Sequence, residues 1–264
     1  MEPQTTSNRS MCHEPTIPDI HVSRKGLLMN KGRRHGGNRY SWLLAALLLM
    51  LIIGPLIGRF QLIGPGFYIG DLILAGVLLS SVKFLFKRHL HFVICLALTS
   101  LAIIAGALSR AVEADLSMPI RVFGHLMEAG LLGYMTALIG LDIFTTDEVG
   151  SDTISGSISV YLLVASFFAV IFTIIGIVEP DAFHIPSDIQ VPDDSMGPDR
   201  LMVYFSITTI TTLGYGDITP RGEFARSLAN FEALLGQIYL TVLVARLVGR
   251  NLTHSMRKRS GEAT

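Results

Sequence analysis

Cysteine is nearly absent from this chain, which has two among 264 residues, Cys12 and Cys95. With Cys12 in a basic leading segment and Cys95 inside an apolar run, neither has a pairing partner, so a disulfide framework is excluded. Charge is also scarce: 16% of residues are charged, the net charge is zero and half the chain is apolar. Together with a positive mean hydropathy, this excludes a soluble domain of ordinary composition. The chain has no phosphate-binding glycine-rich loop, no metal-ligand spacing and no nucleophile beside a base. No catalytic group, enzymatic activity, organic cofactor or nucleic-acid partner is therefore expected. No internal repeat is present, and no small-residue cleavage pattern follows the first apolar run, so a cleaved leader is not expected.

What the chain does have is long apolar runs. Stretches able to cross a hydrocarbon layer of about 30 Å lie at Ser41 to Ile57, Ile69 to Phe86, Leu90 to Leu108, Val122 to Phe144, Ile158 to Val178 and Leu228 to Val248. They are too long, and too poor in alternation, for barrel strands. The fold class expected is an all-α, multi-pass membrane protein in contact with the lipid bilayer. Tyr40 and Trp42 look like interfacial anchors at the start of the first span.

Basic residues set the orientation. Arg9, Arg24, Lys25, Lys31, Arg33, Arg34 and Arg39, then Lys83, Lys87 and Arg88, then Arg246, Arg250, Arg257, Lys258 and Arg259 fall on one side. Only Arg59, Arg110, Arg121, Arg200, Arg221 and Arg226 fall on the other. Both termini are then cytosolic, with the spans expected in a plasma membrane. The loop with Asp147, Glu148 and Asp152 adds no basic residue on the inside, but acidic residues weigh little in this rule. Four regions are expected: a basic tail over 1–40, largely disordered; a four-helix transmembrane region over 41–157; a second membrane segment over 158–249; and a short basic tail over 250–264.

The most informative run is Thr209-Ile-Thr-Thr-Leu-Gly-Tyr-Gly-Asp217. Backbone carbonyls can replace the hydration shell of an alkali cation if successive ones point the same way. That requires unusual dihedrals at alternate residues, and Gly214 and Gly216 reach positive φ without steric cost. The run resembles the selectivity filter of potassium channels, and the resemblance to their pore domain covers Ile158 to Gly249. It implies potassium ions held by Thr212, Leu213, Gly214 and Tyr215, with Gly216 and Asp217 completing the filter. It also implies a pore helix starting at Pro198 or Asp199 that presents an aromatic pair, Tyr204 and Phe205, behind the filter. Thr208 and Thr209 complete this support. By position Tyr204 would donate to Asp217, and Thr209 would accept from Tyr215. Many family members carry two tryptophans at the aromatic pair, and some carry a carboxylate where Thr208 stands.

One filter segment per chain implies a homotetramer, since such a filter has four walls. The turret acids Glu179, Asp181, Asp188, Asp193, Asp194 and Asp199 form a solvated loop that would also concentrate cations at the mouth. In the last helix Gly236 is either a hinge or a point of close helix approach. Leu240, Thr241 and Val244 follow it as gate or cavity candidates. Glu232, one turn earlier, is either a hydrogen-bonded structural carboxyl or a proton-sensitive group behind the filter. His125 and Glu128 pose the same choice on the fourth span.

Six spans and one filter resemble the layout of voltage-gated channels, but 122–144 contains no Lys or Arg. A charge moved through the field contributes about 2.3 kcal/mol per 100 mV, so steep gating needs several; weak or absent voltage dependence is expected. The alternative is a non-conducting membrane subunit or sensor that modulates a partner channel, which a degraded filter would favour. A subunit of an active uptake system, with four linked pore repeats, matches less well.

Overall fold

The computed structural model describes residues 39–60, 76, 89–112, 114–145, 150–187 and 197–261. Contacts divide the chain into two units, Met1–Gly37 and Asn38–Thr264, and all of these residues lie in the second. The expected leading tail up to residue 38 and, except for Gly76, the span at 69–86 fall outside the described residues; Arg39 and Tyr40, expected in the tail, begin a helix instead.

The elements are α1 (Arg39–Phe60), α2 (His89–Ala111), α3 (Ala114–Thr145), α4 (Ser151–Val178), a 3-10 turn (Pro180–Ala182), β1 (Phe183–His184), α5 (Gly197–Ile210), β2 (Thr219–Pro220) and α6 (Glu223–Gly261). Among the described residues, four helices are long and apolar enough to cross a membrane, at His89–Ser109, Leu116–Thr145, Ser151–Val178 and Glu223–Arg246. Tyr40–Ile52 is a shorter apolar helix. Several spans begin earlier than hydropathy suggested. α4 starts at Ser151, so the boundary expected at 157/158 falls within one helix, and α3 takes in Arg121 near its start.

Without water, a helix must satisfy its own polar groups. Serine and threonine hydroxyls here donate to carbonyls one turn back: Thr99 to Cys95 at 2.8 Å, Thr136 to Leu132 at 2.7 Å, Ser157 to Thr153 at 2.9 Å and Ser166 to Leu162 at 3.0 Å. Leu43, Leu47, Cys95, Leu132, Met135, Ile139 and Leu163 from α1 to α4 then form one aliphatic core.

Two features of this bundle depart from the sequence expectations. Trp42 is exposed, as a lipid-facing anchor would be, but Tyr40 is buried, and its hydroxyl donates to Asp142. Gly156 makes room for that ring, since a Cβ there would lie 2.8 Å from Tyr40 Cγ. Asp152 is not a stray loop acid. Its Oδ1 accepts from the backbone N–H of Tyr40 at 2.9 Å, so α4 caps the amino end of α1, where a carboxylate meets unpaired donors and a positive dipole end.

Candidate functional site

Between α5 and β2 the backbone alternates in a way that few sequences allow. Thr212, Gly214 and Gly216 have φ of 58°, 52° and 78°. Left-handed dihedrals at every second residue turn successive carbonyls toward a common side. Two of these positions are glycine, for which the conformation is nearly free; the third is a β-branched residue, for which it is strained. Sequence reasoning picked out the glycines and missed the threonine, because nothing in a Thr side chain signals positive φ.

The pore helix α5 begins at Gly197, slightly before the expected Pro198 or Asp199, with Asp199 in its first turn. It holds the filter through its last carbonyls: Thr212 N–H donates to Thr209 O at 2.9 Å, and Gly214 N–H to Thr208 O at 3.0 Å. The filter thus folds back on the helix before running to Asp217. There Tyr204 Oη donates to Asp217 Oδ2 at 2.6 Å, while Oδ1 accepts from Ile218 N–H at 2.9 Å. The tyrosine bond holds the Asp217 carboxyl below its ordinary value, and the same bond raises the Tyr204 phenol to about 12. Tyr215 stacks on Tyr204, with ring centroids 6.4 Å apart and planes 3° from parallel.

Thr208 and Thr209 support the filter through these carbonyls, while Phe205 and the threonine hydroxyls have other partners within the chain. Phe205 does not share the filter side with Tyr204. It packs edge-on against Phe172 at 5.0 Å and Phe183 at 5.4 Å, anchoring α5 to α4 and to the strand after it. Thr209 donates its hydroxyl to Phe205 O at 2.8 Å, and no bond joins it to Tyr215 among the described residues. Thr208 donates to the same carbonyl at 2.9 Å. Leu213 and Tyr215 remain 55% and 69% exposed within one chain.

The outer end of the filter is tied down by β1 and β2, which pair antiparallel with Phe183 opposite Pro220 and His184 opposite Thr219. Arg221 N–H donates to Ala182 O at 2.7 Å, and the Arg221 guanidinium lies 3.0 Å from His184 Nδ1. Asp199 turns back toward the bundle, near Thr173, His125, Glu128 and Arg121. Asp188, Asp193 and Asp194 lie outside the described residues.

On α6, Gly236 is buried against the end of the pore helix. A Cβ there would stand 2.6 Å from both the carbonyl oxygen and Cγ1 of Ile210, so this glycine marks close approach. The same Ile210 carbonyl accepts from Tyr161 Oη of α4 at 2.8 Å. Lower on α6, Tyr239 Oη donates to Ser157 O at 2.7 Å. Arg246 donates to Phe144 O at 3.1 Å and lies over the Phe144 ring at 5.2 Å. Leu240, Thr241 and Val244 are exposed in the single chain. His125 and Glu128 pair within α3 at 3.3 Å, a local satisfaction. Among the described residues no cluster of His, Cys, Asp or Glu suits a metal ion.

A family model described as ion channel matches residues 200–253, the stretch from α5 through the filter into α6. Two bacterial proteins, each called protein LctB, are similar to part of the chain. The one from Bacillus caldotenax is 32% identical over 126 residues, which is 48% of this chain and 92% of the relative. The one from Geobacillus stearothermophilus is 30% identical over 128 residues, again 48% and 92%. With the filter-bearing stretch matched by the family model and nearly all of each relative covered, this chain belongs to the potassium-channel pore-domain family of ion channels.

Proposed function

We propose that the protein is a potassium-selective channel that conducts passively through four copies of the segment Thr212 to Asp217. The observation that carries this reading is the left-handed backbone at residues 212, 214 and 216, kept even where a threonine must be strained to keep it. Strain of this kind persists only where surroundings impose it, as the Thr209 and Thr208 carbonyls do here, and such strain clusters at sites that hold a ligand. Carbonyls of Thr212, Leu213, Gly214 and Tyr215 form the ion column, and Asp217 closes it at the outer mouth.

The quaternary state proposed is a homotetramer. One chain supplies one wall, and backbone at membrane depth outside a helix is tolerated only when covered by protein or lining a wet cavity. The exposed Leu213 and Tyr215 side chains would be covered by the next copy. Both termini are placed in the cytosol of a bacterial plasma membrane. Leu240, Thr241 and Val244, beyond the packed Gly236, line the inner cavity or its gate.

Purified protein in liposomes should pass potassium at least about a hundredfold faster than sodium, with block by barium. Equal sodium and potassium flux would refute the reading. Gating depends weakly on voltage, since α3 holds the single basic residue Arg121. A gating-charge measurement finding several charges per subunit would overturn that part alone.

A further inference from the structure

Glu232 is fully buried at the centre of the pore segment, and the hydrogens around it are few enough to count. Its Oε1 meets Ser206 Oγ of the pore helix. Ser206 Oγ also meets the carbonyl oxygen of Ala165 on α4 at 2.7 Å. A serine hydroxyl has one hydrogen. The Ala165 carbonyl can only accept, so the Ser206 hydrogen goes there, and the hydrogen in the Ser206–Glu232 contact must come from the carboxyl. The phenol of Tyr161, the ionisable group that faces Glu232 from α4, cannot serve it, because its hydrogen is given to Ile210 O. From α5 the carboxyl faces Ser206. Among the described residues no cation is paired with Glu232.

The other carboxyl oxygen leads to the same answer independently. Glu232 Oε2 is the one buried side-chain N or O atom among the described residues that lacks a hydrogen-bond partner. Half of an ionic charge left unpaired in a dry site is among the costliest arrangements a protein can hold. The carbonyl oxygen of a neutral acid left unpaired costs far less.

We infer that Glu232 is held as the neutral acid and donates the first link of a relay, Glu232 to Ser206 to Ala165, that joins α6, α5 and α4 directly behind the filter. It is a positioning residue: it touches no ion, and it fixes the pore helix whose last carbonyls hold Thr212 and Gly214. The inference rests on the channel reading only for its effect on flux, since the charge state is measurable without conduction.

Infrared spectra of the protein in lipid at neutral pH, with isotope-labelled glutamate, test it. The expected result is a carboxylic-acid C=O band that is lost in Glu232→Gln and moves to higher frequency in Ser206→Ala, where the acid loses its acceptor. A carboxylate signal in place of that band, or a band unmoved by Ser206→Ala, overturns the inference. In flux assays Glu232→Gln, whose amide keeps a donor, should retain conduction within about threefold of the parent, while Glu232→Ala and Ser206→Ala lose about tenfold or more. Equal loss in Gln and Ala variants would overturn the relay. Absence of potassium flux in the unmodified protein would instead strike the channel reading and leave the acid band standing.

Discussion

The bundle of α1 to α4 and the pore segment from α5 to α6 solve burial in opposite ways. The bundle closes on itself, and Leu43, Leu132, Met135, Ile139 and Leu163 are at most 1% exposed. The pore segment closes mainly on its α4 side, through the aromatic core of Phe168, Phe172, Phe183 and Phe205. Its other side turns Leu213, Tyr215, Phe231, Leu234 and Ile238 outward. Of the apolar window of α4, 44% is buried, against 17% of that of α6. Lipid can cover Leu234 or Ile238, but it cannot satisfy a filter of bare carbonyls. Among the described residues the first region thus buries its core within one chain, whereas the second leaves one side uncovered.

Glycines placed in the two regions sharpen that contrast. Gly216→Ala forces a side chain into left-handed backbone, which costs about 1–2 kcal/mol per copy. In the proposed tetramer, potassium flux should fall by at least about a hundredfold while the assembly seen by cross-linking is unchanged from the parent; near-normal flux would mean that this backbone does not form the ion path. Gly236→Ala comes next, because its Cβ would press on the Ile210 carbonyl. Overpacking of about 1–3 kcal/mol per copy predicts at least a tenfold loss of flux in liposomes, and an unchanged rate would show that this close approach to Ile210 does not matter for conduction. Gly156→Ala crowds Tyr40 in the bundle instead. It should destabilise the chain by about 1–3 kcal/mol in thermal unfolding and leave the potassium-to-sodium ratio intact; an altered ratio would show that the two regions are not separable.

The smallest effects belong to the outer mouth. Tyr204→Phe removes the bond to Asp217 and should speed loss of conduction during prolonged opening by about three- to tenfold, read from single-channel records. The pH dependence follows from the same pair. The Asp217 carboxyl is depressed, so its contribution is present above the ordinary carboxyl range near pH 4 and is lost as pH falls through the depressed value. The Tyr204 phenol is raised, so its contribution is present below about pH 10 and lost as pH rises through about 12. Filter lifetime should be flat between these limits with external pH, and a slope near neutrality would point to another group.

Much of this was readable from residue types alone. The apolar runs placed α2, α3, α4 and α6, and the two filter glycines marked where unusual dihedrals were required. What escaped reading has physical causes. Adjacent helical residues point roughly 100° apart, so Tyr204 and Phe205 face different neighbours, and which of them meets the filter of its own chain depended on the position of Phe172 and Phe183. A hinge and a close approach both call for a missing Cβ, so Gly236 was ambiguous until Ile210 was seen against it. The partner of Glu232 was invisible because Ser206 and Ala165 come together only when three helices have packed.

Asp152 carries a further consequence, one of timing. The backbone N–H it caps, on Tyr40, lies 112 residues earlier in the chain. At about 5–20 residues per second, a ribosome takes on the order of ten seconds to cover that interval. The leading end of α1 therefore emerges long before the carboxylate that caps it. Assembly of the bundle is thereby linked to the emergence of the helix that carries the pore.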